Sequence, residues 1–156
     1  MRIRLRIDAA FVLLIAAASP AAGQERPRFV NPPAMPVPRG YTQLVDIPAG
    51  HRLLYLSGQV ALDSAGRLVG GTDFRAQARQ VFENLRKGLA SAGASFTDVV
   101  KLNYYVLDVG QLPVLREVRD QYLNLGSPPA STLVEVTHLF RPDVLLEVEA
   151  IAVVKP

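Results

Sequence analysis

The chain has no cysteine and no tryptophan, and only two methionines and two histidines. Without cysteine there is no disulfide, no thiolate nucleophile and no zinc–cysteine centre. The histidines, His51 and His138, make no HxH or HExxH spacing, so no metal site is expected. There is no GxSxG elbow and no GxGxxG, and Gly70-Gly71 does not precede phosphate-loop residues. Neither a serine-hydrolase order nor a nucleotide cofactor is therefore expected, nor any other cofactor. Nucleic-acid binding needs a concentrated basic face. None is legible, because Arg75, Arg79, Arg86 and Lys87 share their helix with Asp73 and Glu83.

A long hydrophobic run is also missing. Ala9–Ala18 (AAFVLLIAAA) is too short to cross a bilayer, which takes about 20 residues. It follows Arg2, Arg4 and Arg6 and precedes the small residues Ala21-Ala22-Gly23. That layout is a secretory leader, expected to be cut after residue 23. An uncleaved anchor or a buried N-terminal helix is the alternative. Cutting there removes Arg2, Arg4, Arg6 and Asp8 and leaves 14 of 17 basic and 13 of 14 acidic residues. The isoelectric point of about 9.5 thus belongs in part to the leader. A periplasmic or secreted protein, free of the membrane after cleavage, is expected. Residues 24–39 (QERPRFVNPPAMPVPR) are proline-rich and aperiodic, which reads as a linker or extended arm. Residues 40–156 are expected to form one domain.

Within that domain, Tyr41–Ile47 and Arg52–Val60 read as strands joined by a turn at Pro48–His51. Gly58, inside the second, signals a bulge or a close approach to a ligand or another backbone. Thr72 or Asp73 caps a helix whose apolar stripe is Phe74, Ala78, Val81, Leu85, Leu89 and Ala92, with Gln77 and Asn84 on the other face. Asp98–Leu107 is a third strand. Pro113 opens a second helix with the stripe Leu115, Val118, Tyr122 and Leu125. Pro128–Val154 supplies two more strands, broken at Arg141-Pro142-Asp143.

The last strand is the most informative. Val144, Leu146, Val148, Ala150, Ala152 and Val154 make one wholly apolar face. Leu145, Glu147, Glu149, Ile151 and Val153 make a second apolar face that holds two carboxylates. The order β-β-α-β-α-β-β predicts a two-layer α+β domain, a mixed sheet with both helices on one face. The second face then needs a cover, and another subunit is the simplest. Glu147 and Glu149, joined by Glu135, either make structural bonds at such a seam, with Lys101 or Arg116, or carry chemistry.

The sequence PASTLVEV (129–136) followed by LEVEAIAV (146–153) resembles the C-terminal signature of the RidA (reactive intermediate/imine deaminase A) family, PARS-x-VEV and EIEAIAV. The resemblance covers roughly residues 40–154. It implies a fold similar to trimeric chorismate mutase and a homotrimer enclosing a central barrel, with three clefts between subunits for a small-molecule ligand. It implies that Glu147 holds or activates the water that attacks an imine. Tyr41, after Gly40, matches the family's pocket tyrosine, and Ser57 and Gly58 match the pocket wall. Ser131 stands where the family has an arginine that grips the substrate carboxylate. Losing such a clamp costs about 2–5 kcal/mol. Arg116, where relatives often carry asparagine, is a candidate replacement. The expected function is hydrolytic deamination of a small imine or enamine that differs from the usual 2-imino acids. A non-catalytic small-molecule-binding trimer and a chaperone-like trimer are the alternatives.

Overall fold

The computed structural model describes residues 26–155. The leader expected at residues 1–23 lies outside them. Eight principal elements follow in order: β1 (Arg28–Val30), β2 (Leu44–Asp46), β3 (Arg52–Gln59), α1 (Phe74–Ser91), β4 (Val99–Val106), α2 (Leu112–Arg119), β5 (Ala130–Glu135) and β6 (Leu146–Val154). The main sheet runs β3-β6-β4-β5, antiparallel except for the parallel pair β4–β5. This is the expected α+β domain with a mixed sheet.

Helix α1 starts where Asp73 accepts hydrogen bonds from the Arg75 and Ala76 amides at 2.9 and 3.2 Å. It ends before Gly93, whose φ of +73° suits a residue without a side chain. Its stripe of Ala78, Val81, Phe82, Leu85 and Leu89 is fully buried. It packs on Leu102, Tyr104, Leu146, Val148, Ala150 and Ala152 from the centre of the sheet. The apolar parity of β6 thus faces the helices, as its alternation requires.

Four sequence expectations are corrected. β2 is shorter than Tyr41–Ile47 and does not pair with β3. It pairs antiparallel with β1, a strand inside the proline-rich arm, and Arg28 and Asp46 make an ion pair across them. Gln77, expected on the polar face of α1, is fully buried. Its amide nitrogen donates to the Gly71 and Asp143 carbonyls at 2.6 and 2.8 Å, and its oxygen accepts from the Leu145 amide at 2.9 Å. Helix α2 stops at Arg119, leaving Leu125 exposed. Its last turn gives way because Tyr122 turns inward to stack on Phe82, ring centroids 5.1 Å apart, with its hydroxyl on Glu83 at 3.0 Å. Finally, β5 does not neighbour β6, because β4 lies between them. Glu135 is thereby kept from the β6 carboxylates and accepts from the Val109 amide at 2.7 Å.

Among the described residues, much of the second face of the sheet has no cover. Leu53, Tyr55 and Val134 are exposed there, Tyr55 by 74%. That is a large apolar investment to leave in water.

Candidate functional site

The β3–β6 ladder slips by one residue between Leu56 and Gln59. Leu56 faces Ala150 and Gln59 faces Val148, so Ser57-Gly58 forms a bulge beside Glu149. The Glu147 side chain lies directly over Gly58. A β-carbon at Gly58 would stand 1.7 Å from Glu147 Oε1, 2.6 Å from Cδ and 2.8 Å from Cγ. The bulge reading of this glycine therefore holds, and what approaches it closely is a side chain, neither a ligand nor another backbone.

The two carboxylates of β6 have different lives. Glu149 accepts hydrogen bonds from Asn103 Nδ2 at 3.1 Å and the Tyr105 hydroxyl at 3.0 Å, both on β4. That bond to a carboxylate, with partial burial, raises the Tyr105 pKa. Glu147 accepts no hydrogen bond among the described residues. Burial, and next the charge of Glu149, push its carboxyl above the usual glutamate value of 4.5. Lys101, considered as an ion-pair partner, instead donates to Thr132 Oγ1 at 2.6 Å. Glu147 and Glu149 open on a shallow cavity of about 270 Å³ that also exposes Tyr105, His138 and Phe140.

Tyr41, Ser131 and Arg116 come together elsewhere. They line a cavity of about 160 Å³ between α2 and β5, together with Arg39, Tyr104 and Arg119. The register explains the separation. Ser131 pairs with Leu102, on the helix face of the sheet, whereas Glu147 pairs with Tyr105, on the open face. Within one chain, the residues singled out from the sequence thus fall into two groups on opposite faces. Glu147, Ser57 and Gly58 form one, and Tyr41, Ser131 and Arg116 the other.

Sequence reasoning passed over His138, Tyr105, Arg39 and Arg119. Tyr105 could have been found from its parity with Asn103 on β4. Arg119 carried no such signal, since an arginine at the end of a helix is ordinarily solvated. Among the described residues there is no cluster of three or more His, Asp or Glu able to hold a metal ion. No helix among them is long and apolar enough to cross a membrane.

Comparison with known proteins adds context. The family described as Endoribonuclease L-PSP matches residues 34–154. The 2-iminobutanoate/2-iminopropanoate deaminase of Mus musculus is 38% identical over 117 residues, 74% of this chain and 82% of that protein. Protein DfrA of Myxococcus xanthus is 39% identical over 113 residues, 72% and 84% of the two chains. Among solved structures, a Rid-family protein of unknown function from Yersinia pestis superposes with a TM-score of 0.73 at 34% identity. That match covers 83% of this chain and all of the other. RidA from an Antarctic Psychrobacter gives a TM-score of 0.60 at 33% identity, over 81% of this chain and 99% of its own.

Proposed function

Since this chain belongs to the Endoribonuclease L-PSP family, which takes in the YjgF, RutC and RidA proteins, we propose that it hydrolyses a small imine or enamine to the oxo compound and ammonia. One observation carries the reading. Glu147 is a partly buried carboxylate without a hydrogen-bond donor among the described residues, set over bare backbone at a bulge, while its neighbour Glu149 takes the structural bonds. A carboxylate used only to brace its own sheet would be expected to have partners there, as Glu149 does. One left open, with a raised pKa, suits a general base.

The chemistry balances without a cofactor. Glu147 orients a water and takes its proton as the oxygen bonds to the imine carbon. The carbon–nitrogen π pair moves to nitrogen and a carbinolamine forms. Glu147 returns that proton to nitrogen, completing the carbinolamine, and then carries the hydroxyl proton to the same nitrogen; the C–N bond breaks with its pair on the departing ammonia as the oxygen closes the carbonyl. The site is composite in this reading. The open sheet face, with Leu53, Tyr55 and Val134, packs on copies of itself in an exported trimer. That packing sets Glu147 and Gly58 of one subunit against Tyr41, Ser131 and Arg116 of the next. Ser131 gives the substrate's acid group no charged partner on β5, so the substrate differs from 2-imino acids gripped by an arginine there.

The test is to generate 2-iminopropanoate and larger imines with an amino-acid oxidase and time their decay with and without the purified protein. Acceleration of any of them above the buffer rate is expected, together with a trimeric mass by light scattering. No acceleration across the series sinks the hydrolytic reading in favour of a binding module. Gly58→Ala is expected to abolish most of the acceleration. Its β-carbon meets three atoms of Glu147, so the whole side chain must swing off the bulge rather than flex at its tip. Overpacking costs about 1–3 kcal/mol, and a melting scan separates that from unfolding.

A further inference from the structure

The proposed hydrolysis moves two protons onto nitrogen, and Glu147 by itself would carry both. The second transfer is the demanding one. Ammonia leaves only from a protonated nitrogen, just as the hydroxyl on the same carbon loses its proton. An acid at nitrogen, separate from the base at oxygen, lets both happen together. The cavity of about 270 Å³ that holds Glu147 has few such acids. The Tyr105 hydroxyl is turned to Glu149 Oε2 at 3.0 Å, and that bond to a carboxylate raises its pKa. Asn103 Nδ2, 3.1 Å from the same oxygen, has no acidic proton to give. His138 remains. Its imidazole lines the same cavity, is exposed, and has no hydrogen bond or ion pair among the described residues.

The segment that carries His138 is fastened on both sides. Before it, the Val136 amide donates to the carbonyl of Val106, the last residue of β4, at 2.8 Å. After it, Gln77 holds the Asp143 carbonyl at 2.8 Å and the Leu145 amide at 2.9 Å. The other charged groups of this region have partners of their own. Arg141 pairs with Asp143 at 2.9 and 2.6 Å, and Glu135 accepts from the Val109 amide. Glu147 and Glu149 are the charged side chains that share the cavity wall with His138. The imidazole is thus held beside the base, on a short tether, with its ring nitrogens uncommitted.

We infer that His138 is the general acid of this site and protonates the leaving nitrogen. The inference deepens the proposed function and rests on the hydrolytic reading. Glu147 takes the water proton and returns it to nitrogen, completing the carbinolamine. A ring N–H of protonated His138 then gives its proton to the amine nitrogen while the hydroxyl gives its own to Glu147. The C–N bond breaks with its pair on the departing ammonia, and the oxygen closes the carbonyl. Glu147 is left protonated and His138 neutral. Water in the open cavity takes the proton from the one and returns a proton to the other. Histidine suits the task because it both holds and releases a proton near neutral pH. Arg116 does not, since a guanidinium keeps its protons.

Timing imine decay across a range of pH for wild type, His138→Ala and Tyr41→Phe tests this. Wild type is expected to slow again at alkaline pH, above the range in which Glu147 ionises. His138→Ala is expected to be about 100-fold slower at neutral pH, the lower end of what a positioned acid supplies, and to lack the alkaline fall. Its melting temperature should be unchanged, since the side chain is exposed and has no bond to lose. Imidazole added to the solution is expected to restore part of the lost rate, beyond its effect on the protein-free reaction, which a merely structural role would not allow. A His138→Ala variant that keeps the wild-type rate, keeps the alkaline fall or is not rescued by imidazole overturns the assignment. So does an alkaline fall that disappears in Tyr41→Phe instead, which gives the role to Tyr41. Wild type that hydrolyses no imine removes the hydrolytic reading and this role together. Hydrolysis by wild type with an unimpaired His138→Ala removes this role alone.

Discussion

Glu147→Gln is expected to reduce imine hydrolysis by about 100- to 10,000-fold, the usual contribution of a positioned general base. Glutamine keeps the shape over Gly58 but cannot take a proton. The pH profile gives a second readout. Burial and Glu149 raise the Glu147 carboxyl above 4.5, so the wild-type rate should rise with pH through that raised value and level off above it. The stability consequence has the opposite sense to an ordinary ion-paired glutamate. A carboxyl whose folded pKa is raised binds its proton more tightly in the native state. Ionised Glu147 therefore weakens the fold above that pKa, and the penalty fades as pH falls toward 4.5. Glu147→Gln should accordingly melt no lower than wild type at neutral pH, with any gain vanishing in acid. A variant that loses activity without losing stability marks a residue kept for function. If Glu147→Gln instead melts several degrees lower and still turns over substrate, Glu147 is a structural residue.

The second large effect lies away from the cavities. Gln77→Leu should lower the melting temperature by about 10 °C or more. One buried side chain closes the Gly71 turn, holds the Asp143 carbonyl and caps the Leu145 amide, all three bonds partly shielded from water. Leucine fills a similar volume but abandons two acceptors and one donor. Each buried orphan costs about 1–3 kcal/mol, against a total stability of about 5–15 kcal/mol. For a chain of this size about 1 kcal/mol moves the midpoint by roughly 2–4 °C. Because Asp143 and Leu145 lead directly into β6, the variant also loosens the entry to Glu147, and activity should fall before global unfolding. Gln121→Leu is the control. That glutamine is exposed and bonds only the Glu117 carbonyl, at 3.1 Å, so its loss should shift the midpoint little. Equal melting of the two variants would show that the Gln77 network carries no special weight.

Gln77 also illustrates where reading the sequence stops. Its spacing, three residues after Phe74 and four before Val81, places it on the buried side of α1. Its polarity argued for the other side. Only the Gly71, Asp143 and Leu145 backbone groups, the latter two 66 and 68 residues away, reveal why an amide belongs in that interior. The same limit applies to Tyr122, whose spacing continues α2 but whose ring is claimed by Phe82 and Phe96.

Taken by itself, the sequence determined much of what depends on local period. It placed α1 between a cap at Thr72 or Asp73 and its glycine at Gly93, it set the two faces of β6, and it offered Gly58 as a bulge. It also carried the family, through PASTLVEV and LEVEAIAV. The tertiary structure alone decided which strands are neighbours. Alternation fixes the face a side chain points to but not the strand beside it, since pairing joins segments far apart in sequence. That choice inserted β4 between β5 and β6, took Glu135 away from Glu147, and sent Ser131 and Glu147 to opposite faces of one sheet. It likewise buried Arg119, because the charge of a residue says nothing about which cavity the end of its helix will meet.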